Sequence, residues 1–202
     1  MTDRPSSEPP QPSAPPAAPP RVPAWAHTAG LLDLGGAVPC DGAAATADRL
    51  LFCERIARYC WGYDERRLEL LAACFTEDAV WEGNVLGRIA IGPFVGRARI
   101  AAWLSEFWPH QHDQRRHMIL NTIVEAQTAD TATTLSYLLL MGSDGKSAVV
   151  DSMGFYKTAY SREAGEWLIS HLTAGFDKPF WPGDIDAMSN RGRKRHGVAE
   201  KG

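Results

Sequence analysis

The chain has 202 residues, enough for one domain with a substantial core. Its formal charge of −3 supplies no general field for nucleic acid or an anionic membrane, and its 45% hydrophobic content is ordinary for a globular protein. No apolar run approaches the length of a membrane span, so neither nucleic acid nor membrane is an expected partner. Residues 1–23 are rich in Pro, Ala and Ser and read as a disordered or polyproline-like tail without the pattern of a secretory signal. Residues 24–45, with Trp25, Leu31 and Leu32 among glycines, read as an arm completing an N-terminal segment of 1–45. The folded domain is expected over 46–178, and 179–202 forms an extension with a basic cluster at 191–196. Within the domain the spacing predicts helices over 46–63, 66–75 and 97–108, the last stopped by Pro109. Short strands are expected at 79–82 and 87–94, then long ones at 115–126, 131–141, 148–160 and 167–176. Helices first and long strands last, joined by short turns, predict an α+β fold: three helices on a strongly curved, mainly antiparallel sheet that encloses a pocket.

Four cysteines, Cys40, Cys53, Cys60 and Cys74, make no CxxC pair. Cys53 and Cys60 lie two turns apart on a predicted helix, too far for a disulfide, so buried free thiols in a reducing cytoplasm are the expectation. A GxSxG nucleophile motif is missing, and Gly83-Asn-Val-Leu-Gly87 lacks the spacing of a phosphate loop. Neither covalent catalysis nor nucleotide chemistry is supported.

Asp64 ends a helical sector shared with Leu50, Ala57 and Cys60. It is either a solvated helix-end residue or a buried acid that needs a partner. In the strand 115–126, His117 and Asn121 share a face with Ile119 and Ile123, opposite Met118, Leu120 and Val124. A carboxylate bonded to one imidazole nitrogen sets the tautomer and raises basicity at the other, so Asp64 and His117 together would form a proton-transfer dyad. His110, His112, Asp113 and His117 cluster in sequence, but a solvated loop reads better than a metal site, and no metal is expected. Of the aromatic residues, Trp61, Tyr63 and Trp81 lie nearest Asp64 in sequence and could line a pocket, with Tyr63 offering a phenol to a substrate oxygen.

Tyr59-Cys-Trp-Gly-Tyr-Asp64, Leu70-Leu-Ala-Ala-Cys-Phe-Thr-Glu-Asp-Ala-Val-Trp81 and Arg116-His-Met-Ile-Leu-Asn121, with Trp167 on the last strand, resemble SnoaL-like proteins of the nuclear-transport-factor-2-like superfamily. The resemblance covers roughly residues 46–178. It implies a cone-shaped fold and, by likeness to the scytalone dehydratase and hexachlorocyclohexane dehydrochlorinase types, an Asp64–His117 dyad with His117 as general base. Tyr63-Asp64 matches the Tyr-Asp pair of the dehydratase type, but 131–141 carries no second histidine. The expected activity is thus a cofactor-independent lyase or isomerase, eliminating from a small apolar or aromatic substrate. Tyr63, Asn121, Trp61 and Trp81 would bind that substrate. The alternatives are a ligand-binding or assembly module, such as the small subunit of a ring-hydroxylating dioxygenase, and a polyketide cyclase. Relatives of this kind also imply a homodimer or homotrimer.

Overall fold

In the computed structural model, residues 34–87 and 89–178 are described. The readings of Trp25, Leu31, Leu32 and the 191–196 cluster lie outside them. Helix α1 runs Gly42–Asp64 and α2 Leu68–Ala72, then come strands β1 Phe75–Val85 and β2 Ile89–Val95. Helix α3, Arg97–Ser105, and a 3₁₀ turn, Trp108–His110, lead to β3 Gln114–Gln127, β4 Thr131–Ser143, β5 Ala148–Glu163 and β6 Glu166–Phe176.

The six strands form one curved, unclosed sheet in the order β2-β1-β6-β5-β4-β3. Strands β3 to β6 make the expected antiparallel meander, β1 pairs antiparallel with β2, and only β1 with β6 is parallel. The helices close one face, which gives the α+β cone. Five of the six strands run longer than the sequence predicts, β1 most of all, because polar residues such as Thr76 and Asn84 are buried within its ladder.

The buried stripe of α1 is Phe52, Ile56, Tyr59, Cys60 and Tyr63. Leu50, expected to face inward, is exposed, and Asp64 sits at the edge of the stripe. At the N-terminal end of the stripe, Phe52 stacks on Tyr160 with ring centroids 5.2 Å apart and meets Trp167 edge-on at 4.9 Å. Among the cysteines Cys60 and Cys74 are buried, whereas Cys40 and Cys53 are exposed, so burial holds for only half of them.

Two local features place the end of α1. A Cβ on Gly62 would lie 2.8 Å from the Leu71 backbone nitrogen, so only glycine lets α2 come this close. Arg66 then takes a left-handed conformation (φ 54°), and the Arg67 N–H bonds back to the Gly62 carbonyl at 2.8 Å. The chain turns there, leaving Asp64 against β3.

Candidate active site

Asp64 is the last residue of α1, at the negative end of the helix dipole, where a carboxylate is unfavourable unless donors meet it. His117 supplies two. Its ring Nδ1 lies 2.6 Å from Asp64 Oδ1, and its backbone N–H donates to Oδ2 at 2.8 Å. The side chains are 9% (His117) and 6% (Asp64) exposed, so this bond is shielded from solvent. With Nδ1–H donated to the carboxylate, Nε2 is the nitrogen left to act on a ligand.

His117 lines a cavity of about 30 Å³ together with Tyr59, Tyr63, Trp81, Trp103, Gln111 and Arg115, among others. Typical ligand pockets hold roughly 300 Å³ or more, so the aromatic lining must shift to admit one. The lining is continuous. Trp81 and Trp103 have centroids 4.7 Å apart, and Phe94 stacks on Trp103 at 4.0 Å. The Trp81 indole N–H donates to the Tyr59 hydroxyl at 3.2 Å, giving a buried polar atom its partner. Burial pushes the phenols of Tyr59 and Tyr156 far above the ordinary range, so both stay neutral.

Tyr63 meets the His117 ring edge-on, with centroids 5.1 Å apart. Its hydroxyl accepts a hydrogen bond from Gln111 Nε2 at 2.8 Å, which leaves its own O–H free to donate elsewhere. Burial raises the phenol to about 12, against the lowering by Gln111 and Arg115. Tyr63, Gln111 and Arg115 also line a second, polar cleft of about 400 Å³, along with Asp64, Glu65, Arg66, His112, Asp113 and Gln114. This cleft forms a vestibule beside the aromatic cavity.

The structure brings Asp64, His117, Tyr63 and Trp81 together and leaves two of the expected residues out. Asn121 is exposed with φ 51°, at a bulge where Leu120 pairs with Tyr137 but Ile123 with Leu135. The extra residue reverses the alternation of β3. Ile119 and Val124 therefore both pack on the core, while Ile123 turns outward. Trp61 is 58% exposed on the outer face of α1, with the Arg116 guanidinium 5.8 Å from its ring. The histidine-rich segment also separates: His110 and His112 are exposed, Asp113 pairs with Arg115, and His117 pairs with Asp64. Residues not foreseen are Tyr59, Trp103, Gln111 and Arg115. Tyr59 lies one turn before Tyr63, and Arg115 shares the inward face of β3 with His117, so periodicity carried both signals.

A family profile described as a SnoaL-like domain matches residues 44–173. The chain belongs to the SnoaL-like family. No curated protein matches this SnoaL-like chain. Solved structures of similar fold include a protein of unknown function from Mycobacterium tuberculosis, 19% identical, with a TM-score of 0.59 and covering 77% of this chain and 99% of that one. A proposed beta subunit of an aromatic-ring-hydroxylating dioxygenase from Novosphingobium aromaticivorans is 14% identical, with a TM-score of 0.57 and coverage of 67% and 93%. A proposed scytalone dehydratase from the same bacterium is 17% identical, with a TM-score of 0.53 and coverage of 63% and 83%. At these identities the likeness is one of fold, and the SnoaL-like fold hosts several activities. Among the described residues no helix is long and apolar enough to cross a membrane.

Proposed function

We propose that this SnoaL-like protein is a cofactor-independent lyase or isomerase acting on a small, largely apolar or aromatic substrate. The observation that carries the reading is the buried Asp64–His117 pair, with His117 lining an aromatic cavity. His117 Nε2 would take a proton from a substrate carbon. The electrons of that C–H bond become the new double bond as the group on the neighbouring carbon leaves. When that group is hydroxide, the proton held on Nε2 goes to it and water is released. When it is a halide, proton and halide leave separately. Asp64 stabilises the imidazolium and holds the ring in place, and Tyr63 donates its O–H to a substrate oxygen. Asn121 and Trp61 have no part in this reading.

A screen of aromatic compounds bearing a hydroxyl or halogen one carbon from an acidic C–H, read by mass spectrometry, tests the proposal. The wild-type chain is expected to release water or halide, and His117→Ala to lose turnover by about 10²-fold or more while keeping its circular dichroism spectrum. Turnover retained in the folded variant would overturn it.

An assembly role has one observation in its favour. Leu120 and Tyr137 are paired and exposed on neighbouring strands, and Ile123 and Met153 are also exposed nearby on β3 and β5. Such a stripe suits a self-association face and does not compete with the cavity, which lies on the other side of the sheet. Sedimentation of the wild type and of Tyr137→Lys tests it: a dimer or trimer that the substitution dissociates is expected, and a wild-type monomer would remove this reading.

A further inference from the structure

We infer that Arg115 sets the substrate class of this site, selecting a neutral oxygen acceptor such as a carbonyl over a carboxylate or phosphate. The inference rests on the proton-abstraction reading above and concerns what the substrate presents to the base. Arg115 lies two residues before His117 on the same inward face of β3, is buried, and lines the aromatic cavity as well as the vestibule.

Two carboxylates hold its guanidinium. Nε donates to Asp113 Oδ1 at 3.1 Å, and Nη1 pairs with Asp151 from β5. These two pairings use two of the five N–H groups of the guanidinium, which leaves donors for a ligand. The space for this arrangement comes from Gly142, which pairs with Arg115 across the β3–β4 ladder. A Cβ at Gly142 would run into the Asp113 carboxylate, so glycine there keeps Asp113 on the arginine.

A lone buried arginine in a pocket would ordinarily point to an anionic ligand. Here its charge is already spent. Around the dyad and vestibule, Asp64, Glu65, Asp113 and Asp151 are met by Arg66, Arg115 and Arg116, leaving no positive charge in excess. A substrate carboxylate would be a third one on Arg115 and would lie near Asp64, in a poorly solvated site where like charges repel strongly. A carbonyl oxygen asks only for hydrogen bonds. The remaining N–H groups of Arg115, which lines the cavity, and the Tyr63 O–H can both provide them, since Gln111 already occupies the phenol oxygen of Tyr63. As His117 removes a proton from the adjacent carbon, negative charge grows on that oxygen. The guanidinium, fixed beforehand by Asp113 and Asp151, stabilises this charge without reorganising.

Acetophenone and benzoate have nearly the same shape and differ in charge, and their binding to the full chain can be followed by ligand-detected NMR. The wild type is expected to bind acetophenone at least about 10-fold more tightly than benzoate, and Arg115→Gln to weaken acetophenone by about 10-fold. Gly142→Ala, which pushes Asp113 off an intact Arg115, is expected to narrow the preference for acetophenone over benzoate, because the freed guanidinium can take a carboxylate. It also tests the inference if Arg115→Gln does not fold. Benzoate binding as tightly as acetophenone, no binding of acetophenone, or affinities unchanged in the folded variants would each overturn the inference. His117→Ala separates the two claims: it should leave the preference for acetophenone in place, while retained turnover in that variant would count against the base and not against Arg115.

Discussion

Asp64 holds His117 at two points, accepting the ring Nδ1–H at 2.6 Å and the backbone N–H at 2.8 Å. Holding both ends of the residue fixes the ring plane as well as the tautomer, so Nε2 has a defined direction. The carboxylate in turn depends on these donors, since it lies at the C-terminal end of α1 with little access to water.

Asp64→Ala should therefore cost both stability and activity. Removing a buried hydrogen-bonded carboxylate is expected to lower unfolding free energy by about 2 kcal/mol, read by urea denaturation. Turnover should fall by about 10²-fold, because the imidazole loses its orienting partner. Wild-type activity in Asp64→Ala would show that the acid has no part in the chemistry.

Gly62→Ala should destabilise the chain by about 1–3 kcal/mol, since its Cβ meets backbone atoms of Leu71 that cannot rotate away. The displaced helix end carries Asp64 with it, so ligand affinity should fall too. A thermal melt unchanged from wild type would contradict the close approach of α2.

At the β3 bulge, Asn121→Ala should cost about 1 kcal/mol because alanine tolerates the left-handed conformation less well than asparagine. Asn121→Gly should not. Neither should alter turnover, since Asn121 is exposed and outside the cavity lining. A loss of turnover in both folded variants would restore Asn121 to the site.

Alkaline pH should weaken the fold. Burial raises Cys74 from 9.0 to about 11 and Tyr63 from 10.0 to about 12. Groups raised in the folded state contribute full stability below their unfolded values and lose it as pH climbs through the folded ones. Denaturation midpoints should hold steady up to about pH 9, then fall, first through Cys60 and Cys74 and afterwards through the buried tyrosines, Tyr63 among them, as tyrosinate absorbance appears on unfolding. Cys74→Ala should flatten the first part of that fall. Midpoints that stay level to about pH 11 would contradict the burial of these groups.

The order of helices and strands was legible because apolar runs of helix or strand length are separated by polar turns, as Asp144-Gly145 separates β4 from β5. His117 and Asp64 could be paired from the sequence because both sit among apolar neighbours. Asn121 could not be placed, since one inserted residue in β3 reverses the faces from there to Val124, and nothing in Leu120-Asn121-Thr122 marks the bulge except an asparagine. Trp61 was misplaced because nearness to Asp64 along a helix says nothing about facing the same side. Arg115 was legible in its facing, two residues before His117, but not in its pairing. Its partners Asp113 and Asp151 come from a loop and a distant strand, so its neutralised, buried state exists only in the folded chain.

The central claim is that His117, aimed by Asp64, takes a proton from carbon. Deuterium exchange into the methyl group of acetophenone in heavy water, followed by NMR, measures that step without any leaving group. The account predicts exchange well above buffer with the wild-type chain, reduced by about 10²-fold in His117→Ala. Equal exchange in the two proteins would contradict it.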